Sequence, residues 1–182
     1  TLGVEMSSTG EVACFGHDVQ EAFLQSLLAT TFKLPEKVEG KHILISIAEE
    51  NMRLEFLESV QKLIEMGYRL VGTPGTSEFY TAKGIDLGAL EKPALDTDAY
   101  TVHAPNSAIR WIHEKKVDLV FNIPEGTTRD DEISAGYLMR RAAVDFGCGL
   151  ITNMKCAQMF CDALHRNKAL PVKSAEEYVD KA

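Results

Sequence analysis

The stretch His42-Ile43-Leu44-Ile45-Ser46-Ile47 is a nearly continuous apolar run, and it decides the fold class. A strand that is apolar along its whole length is covered on both faces, which is typical of parallel sheets in α/β proteins. A helical pattern follows directly, with Asn51 suited to its start and Gly67 to its end. A rhythm of strand and then helix therefore begins at about residue 41.

The same alternation continues along the chain. Four further strands are predicted at Arg69–Gly72, Ile85–Leu87, Val117–Asn122 and Leu150–Thr152. Later helices are predicted across Ser77–Lys83, around Ile109–Ile112, and across Ile133–Phe146 and Lys155–Leu164. Five strands that alternate with five helices predict a three-layer, doubly wound α/β fold with a five-stranded parallel sheet.

Residues 1–40 do not follow this rhythm. Gly3–Met6 and Glu11–Phe15 predict two short strands around a turn, Val19–Thr30 predicts a helix, and residues 32–40 predict a linker. We interpret residues 1–40 as the tail of a preceding domain with its linker, and residues 41–182 as one domain. Because the chain begins without Met and in mid-pattern, we expect it to be a fragment of a longer protein.

Composition narrows the classes of partner and compartment. The net charge of −8 repels a phosphate backbone, so nucleic acid is not an expected partner. No apolar run approaches the roughly 20 residues of a membrane helix, and the N-terminus lacks a signal pattern, so we predict a soluble protein without a membrane partner. Four cysteines without a Cys-x-x-Cys pair predict buried, reduced thiols and a cytoplasmic location; they are Cys14, Cys148, Cys156 and Cys161.

Polar side chains follow the ends of strands, which a parallel sheet brings to one edge. In Gly72-Thr73-Pro74-Gly75-Thr76, glycine permits close approach, hydroxyls donate, and the next helix presents free N–H groups to a phosphate. A plain capped turn fits this string equally well. Asn122-Ile123-Pro124 ends the strongest strand at the same edge, and we favour binding there over a simple turn. Arg53 and Lys92 are further cations that could neutralise a phosphate, although on spacing alone a single Arg or Lys is more often simply solvated.

The remaining polar groups do not predict catalysis. Asp130-Asp131-Glu132 suits the start of a helix better than a magnesium site. Arg140 and Arg141 point about 100° apart on a helix, so at most one faces a site. The five histidines lack partners at metal spacing, and no Ser-His-Asp or Cys-His arrangement is evident. We therefore predict binding groups, with no catalytic residue and no metal site.

Longer strings resemble a known family. Residues 3–12 resemble the end of the second ATP-grasp half in the large subunit of carbamoyl phosphate synthetases. Residues 44–47, 72–76, 117–122 and 136–145 are similar to the C-terminal regulatory domain of that enzyme, which has the methylglyoxal synthase-like fold. The resemblance implies an allosteric domain without a cofactor of its own. The ATP- and magnesium-dependent ligase chemistry, from ammonia and bicarbonate, would lie upstream in the same chain.

The resemblance also implies an effector site and a class of effector. It places the site at Thr73, Thr76, Lys92 and Asn122 and near Gly136 and Met139, with Arg53 near a basic position of the family. The predicted effector site also includes Ser46, Gly75 and Pro124. Effectors across the family include uridine nucleotides, inosine monophosphate, phosphoribosyl pyrophosphate and N-acetylglutamate. At the position of Lys92, the bacterial nucleotide-binding domains of the family have Lys, whereas animal-type domains tend to have Trp. Residues 32–35 and 154–157 resemble eukaryotic pyrimidine-pathway synthetases, so we expect feedback inhibition by a uridine nucleotide, UMP or UTP.

Two other functions stay open at this point. Methylglyoxal synthase shares the fold and acts on dihydroxyacetone phosphate, but it needs aspartates to move protons. Here residues 91–105 contain no glycine and Asn122 stands where an aspartate string would be expected, although Asp96 and Asp98 keep the lyase possible. The domain could instead serve mainly for oligomerisation, but Trp111 and Phe146 look like core residues and leave no apolar patch in the sequence to support that.

Overall fold

A computed structural model of the chain describes residues 10–93, 104–124 and 134–166, together with Ser174 and Glu177. Its strands form one parallel sheet, which confirms the predicted α/β class with five parallel strands. They are β1 (His42–Ile47), β2 (Leu70–Gly72), β3 (Gly88–Ala89), β4 (Val117–Ile123) and β5 (Gly149–Ile151). The described helices are α1 (Val19–Leu28), α2 (Glu50–Glu55), α3 (Leu57–Glu65), α4 (Pro74–Thr81), α5 (Ala108–His113), α6 (Ala135–Asp145) and α7 (Met154–Arg166).

The strand order is β3-β2-β1-β4-β5, so the chain builds outward from β1 on one side and then on the other. The order therefore reverses between β1 and β4, which are the longest strands of the sheet. Their register places Ser46 beside Asn122 and Ile47 beside Ile123 at the carboxyl ends. In such sheets the loops diverge at this point and leave a crevice, so the topology places a cavity beside Ser46 and Asn122.

Alternating side chains of β1 send apolar groups into two separate clusters. Ile43, Ile45 and Ile47 join the cluster that contains residues of α1, α3 and α7, whereas Leu44 joins the cluster formed with α5 and α6. Because successive side chains of a strand point to opposite faces, each face of the sheet is covered by helices. Trp111 and Phe146, which we predicted as core, are half-buried against the second cluster.

Three predicted elements differ from the structure by more than two residues or in number. The helix predicted from Asn51 to Gly67 is divided into α2 and α3, because Phe56 turns inward at the junction and meets Phe121 edge to face with ring centroids 5.3 Å apart. Helix α4 begins at Pro74 rather than Ser77, since proline suits the first helical turn. The third strand is Gly88–Ala89 rather than Ile85–Leu87, because Gly88 and Ala89 pair with β2 while Leu87 fills the core.

The described residues before β1, which include α1, pack against the same core. Leu24 of α1 is fully buried, α1 lies on α7, and Phe32 meets Phe160 edge to face at 5.6 Å between ring centroids. The strand predicted at Glu11–Phe15 is wrong, since residues 11–16 have no regular secondary structure. Its predicted partner, Gly3–Met6, lies outside the described residues. The division of the chain at residue 40 stays a prediction.

The cysteines differ more in exposure than the sequence predicted. All four are free thiols, but only Cys161 is fully buried, Cys14 and Cys148 are half-buried, and Cys156 is exposed in the first turn of α7. The prediction of a buried thiol is therefore wrong for Cys156, because that turn presents it to solvent. Within the part of the chain that the structure describes, no helix has the length and apolar character to cross a membrane.

The ring of Phe121 provides a test of the core. It is 0% exposed and meets the rings of both Phe56 and Phe160 edge to face. We expect Phe121→Ala to lower the free energy of unfolding by about 3–5 kcal/mol, because it removes a large buried side chain and leaves a cavity. Urea denaturation measures this loss. Val144→Ala, at a site that is 65% exposed, is the control and should change stability by less than about 0.5 kcal/mol; similar losses for both variants would contradict this core.

The thiols provide a second test. Burial, together with the neighbouring charges of Asp118 and Asp162, raises the pKa of Cys148 and of Cys161 to about 12. Since the thiolate is the reactive form, both should resist iodoacetamide at pH 8 while Cys156 reacts. Mass spectrometry measures the extent of iodoacetamide labelling at each cysteine of the folded chain, with the urea-unfolded chain as the control. Equal labelling of Cys148 and Cys156 in the folded chain would contradict it.

Candidate functional site

A cavity of about 290 Å³ opens at the carboxyl ends of β1, β2 and β4. The structure brings all ten predicted site residues to its walls: Ser46, Arg53, Thr73, Gly75, Thr76, Lys92, Asn122, Pro124, Gly136 and Met139. The lining also includes Ile47, Ala48, Ile123, Ser134, Ala135 and Arg140, none of which was predicted as a site residue. That these residues bind an effector stays a prediction.

The turn from β2 into α4 leaves one backbone donor free beside the cavity. The N–H of Thr73 donates to the carbonyl of Ile45, and the N–H groups of Thr76 and Ser77 both donate to the carbonyl of Thr73. Proline has no N–H, so Gly75 carries the unused donor of this helix start among the described residues. A free N–H at a helix N-terminus attracts an anion.

The hydroxyls of this turn are buried and largely committed to the protein. The hydroxyl oxygen of Thr76 accepts from the N–H of Ile47 at 3.2 Å and lies 3.3 Å from its carbonyl oxygen. The hydroxyl of Thr73 lies 3.2 Å from that of Thr76 and 3.5 Å from that of Ser46. Thr76 therefore fastens α4 to β1, which differs from the direct donation to a ligand that the sequence led us to expect.

Arg53 reaches the cavity from α2 and is held by backbone carbonyls. Its Nε donates to the carbonyl of Ile47 at 2.9 Å and its Nη2 donates to that of Ala48 at 2.7 Å. The carbonyl of Arg53 itself accepts from the hydroxyl of Tyr80, and burial raises the pKa of that phenol. The guanidinium is thus fixed next to Gly75, where an added Cβ would come within 3.6 Å of Nη2.

Lys92 is the second predicted cation, and it is exposed at the cavity edge. The residue before it is fixed, since the N–H of Glu91 donates to the carbonyl of Asn106 and its own carbonyl accepts from the N–H of Ala108. No hydrogen bond or ion pair joins Lys92 to the described residues. Its ammonium group is therefore available for an anionic ligand.

Arg140 is the cation of the cavity lining that the sequence analysis did not choose as a site residue, having allowed only that at most one of Arg140 and Arg141 faces a site. It lies four residues after Gly136 on α6, and its Nη1 donates to Oδ1 of Asn122 at 2.7 Å. Arg141 instead pairs with Asp145 at 2.8 Å on the outside of the helix, which agrees with the expectation that at most one of the two faces a site. The signal was present in the sequence, because spacing of four residues from Gly136 puts Arg140 on the cavity face.

The start of α6 adds two more backbone donors. The side chain of Ser134 caps the helix by accepting from the N–H of Tyr137, and its carbonyl accepts from the N–H of Leu138. The N–H groups of Ala135 and Gly136 have no hydrogen-bond partner among the described residues. Two helix starts therefore face one cavity.

Charge in the cavity is opposite to that of the whole chain. The described lining residues include three cations, Arg53, Lys92 and Arg140, and no carboxylate, although the chain carries a net charge of −8. In the described part of the chain, no group of three His, Cys, Asp or Glu side chains could hold a metal ion. Asp130-Asp131-Glu132 lies outside the described residues. The arrangement suits a small anion that presents hydrogen-bond acceptors.

Known proteins are similar in sequence to this chain over nearly its whole length. The chain is 43% identical over 178 residues to "Multifunctional protein URA2" of Saccharomyces cerevisiae. The aligned residues cover 96% of this chain and 8% of that protein. It is 39% identical over 169 residues to "Multifunctional protein CAD" of Squalus acanthias, with 90% and 7% covered. It is 33% identical over 177 residues to "Carbamoyl-phosphate synthase [ammonia], mitochondrial" of Mus musculus, with 97% and 11% covered.

The chain thus spans about a tenth or less of the length of these relatives. The model of a single domain family, described as "MGS-like domain", matches residues 55–152, from the end of α2 to just beyond β5. This match includes most of the sheet and the residues of the cavity after β2 and β4. Because it covers more than half of the chain, the chain belongs to the family of MGS-like domains, as its sequence predicted.

Proposed function

We propose that this chain is the regulatory domain of a carbamoyl phosphate synthase of the pyrimidine pathway, and that it binds a uridine nucleotide, UMP or UTP, as effector. The relatives are multifunctional proteins and carbamoyl-phosphate synthases, which supports the parent enzyme. In this proposal the ATP- and magnesium-dependent ligase lies in other segments of a cytoplasmic parent chain. The domain itself binds the effector and leaves it intact.

The observation that carries the proposal is the basic cavity at the switch point of the sheet. Its walls combine Arg53, Lys92 and Arg140 with free N–H groups at the starts of α4 and α6. Its volume of about 290 Å³ lies just below the range of about 300–1,000 Å³ for small-molecule sites. A mononucleotide suits this size, with its phosphate held by Gly75, Arg53 and Lys92 and its base towards Asn122.

Regulation further requires that the effector favour one conformation of the parent enzyme over another. Helix α2 is suited to transmit such a preference, because it buries no residue and contacts both the cavity and α7. Its Arg53 lines the cavity, while the carboxylate of Glu55 accepts from Nζ of Lys155 at 2.9 Å. Since α7 lies on α1, this route would lead from the effector to the lead-in helix.

The lyase alternative has less support at the cavity. A methylglyoxal synthase needs a carboxylate to move protons, and none is present among the described lining residues. Asp96 and Asp98, which kept this alternative open, lie outside the described residues. The cavity does share the features that hold a phosphate, so binding of a triose phosphate would not by itself favour the enzyme.

Substitution of Lys92 tests the nucleotide site. We expect Lys92→Met to weaken UMP binding roughly tenfold or more, since a charged hydrogen bond to phosphate contributes about 1.5–3 kcal/mol. Isothermal titration calorimetry measures the change, and uridine without phosphate should bind both proteins alike. Lys83→Met, which removes an exposed lysine outside the cavity, is the matched control. Binding of N-acetylglutamate by the wild-type chain, without binding of UMP or UTP, would refute the proposed effector.

An activity assay tests the lyase alternative separately. We expect the chain to release no methylglyoxal from dihydroxyacetone phosphate, because no described lining residue can remove its proton. The assay is the colorimetric measurement of methylglyoxal over several hours at high protein concentration, with an authentic methylglyoxal synthase as the positive control. Turnover that is lost when Asp96 or Asp98 is replaced by Asn would favour the enzyme over the regulatory domain.

A further inference from the structure

The amide of Asn122 has only one possible orientation towards Arg140. A guanidinium group carries donors and no acceptor, so the amide can face it only with its oxygen. That contact is present, with Nη1 of Arg140 at 2.7 Å from Oδ1 of Asn122. Asn122 is 3% exposed and lies on β4 beside Ser46 of β1, which restrains its side chain. The NH2 end of the amide is therefore the end that remains for a ligand.

We infer that Arg140 is a positioning residue that sets the hydrogen-bond polarity of Asn122 and thereby selects ligand groups that accept hydrogen bonds. The Nδ2 group of Asn122 makes no hydrogen bond to any described residue, and Asn122 is one of the residues that line the cavity. The N–H groups of Ala135 and Gly136 are donors on the same side of the cavity. The side of the cavity formed by Asn122, Ala135 and Gly136 thus offers hydrogen-bond donors to the ligand. A ligand group that is itself a donor would be left unpaired there.

Gly136 supports the contact between Arg140 and Asn122, because the absence of a side chain leaves room for both groups. A Cβ on Gly136 would lie 3.2 Å from Nη1 of Arg140 and 3.6 Å from Oδ1 of Asn122. The first distance is tighter than most real Cβ contacts, so a side chain here would push the guanidinium by a few tenths of an ångström and disturb its hydrogen bond to the amide. Gly136 therefore acts on the ligand through Arg140 and Asn122.

The inference deepens the proposed function and rests on it where it names the base. UMP and CMP differ at positions 3 and 4 of the ring: uracil has a donating N3–H and an accepting carbonyl at position 4, whereas cytosine has an accepting N3 and a donating amino group at position 4. With the NH2 group of Asn122 directed at position 4, the carbonyl of uracil finds a partner and the amino group of cytosine does not. An unpaired buried polar group costs about 1–3 kcal/mol, so we expect UMP to bind roughly tenfold or more tightly than CMP.

The ratio of the affinities for UMP and CMP is the test. It separates the effect of Arg140 on the orientation of the Asn122 amide from the effect of its charge, because the charge acts equally on both nucleotides. In Arg140→Met the amide is free to turn its oxygen to the ligand, so the preference for UMP should fall towards one. In Asn122→Asp the wall becomes an acceptor, and the preference should shift towards CMP. Arg140→Lys keeps a donor to Oδ1 and should keep the preference, as should the matched control Arg141→Met, which removes an arginine that pairs with Asp145 outside the cavity.

The measurements are calorimetric titrations of the 182-residue chain with each nucleotide, with folding of each variant checked by urea denaturation. A purely structural or purely charge-based role of Arg140 would weaken UMP and CMP binding equally. An unchanged ratio in Arg140→Met would therefore overturn the inference, whatever the loss of affinity. Gly136→Ala provides a second variant and should lower the ratio in the same direction as Arg140→Met.

A second readout decides the inference if the proposed function fails. If the wild-type chain binds neither nucleotide, the uridine proposal is wrong, and orthophosphate then serves as the probe. The side-chain amide signal of Asn122 in a ¹⁵N–¹H spectrum, identified by its loss in Asn122→Asp, should shift on phosphate titration in the wild type and in Arg140→Lys. It should not shift in Arg140→Met. Equal shifts in all three proteins, or none in the wild type, would overturn the inference.

Discussion

The pairing of β1 with β4 is the interaction on which the rest of the structure depends. The two strands run side by side from His42 and Val117 to Ile47 and Ile123, and nearly all of their side chains are buried. Burial of apolar surface contributes about 25 cal/mol per Å², so this pair alone accounts for a large share of the core. Within this pair of strands, Ser46 and Asn122 are the buried polar residues, and both lie at the end of the pair where the cavity opens.

The site follows from that pairing through the geometry of parallel sheets. Each strand that ends at the cavity is followed by a helix whose first N–H groups lack partners in the helix, and in α4 and α6 those groups face the same space. The protein supplies the rest with long side chains that reach back from helices, as Arg53 does from α2 and Arg140 from α6. A rigid apolar base thus supports a polar site built from helix starts and cations.

Sequence patterns predicted most of this arrangement, and the parts that they missed have physical reasons. Periodicity identified the buried strands and the edge at which their loops meet, because burial leaves a clear apolar signal. The break at Phe56 was missed since an aromatic residue that turns into the core looks the same as one on a helix face. The short strand β3 was misplaced because two pairing residues, Gly88 and Ala89, carry no hydrophobic signal. Arg140 was missed because its role depends on contact with Asn122, which is distant in sequence.

The contrast between the cavity and the surface has a consequence for the rate at which ligands arrive. At distances beyond about 10 Å, the Debye length at 0.1 M salt, an approaching anion meets the screened field of an acidic protein with net charge −8 and is weakly repelled. Only within that distance do Arg53, Lys92 and Arg140 outweigh the repulsion. A long polyanion cannot place most of its charge inside a space of about 290 Å³, so it experiences mainly the repulsion, whereas a small anion passes through it once. The acidic exterior and the basic cavity together therefore sort anions by size before any specific hydrogen bond is made.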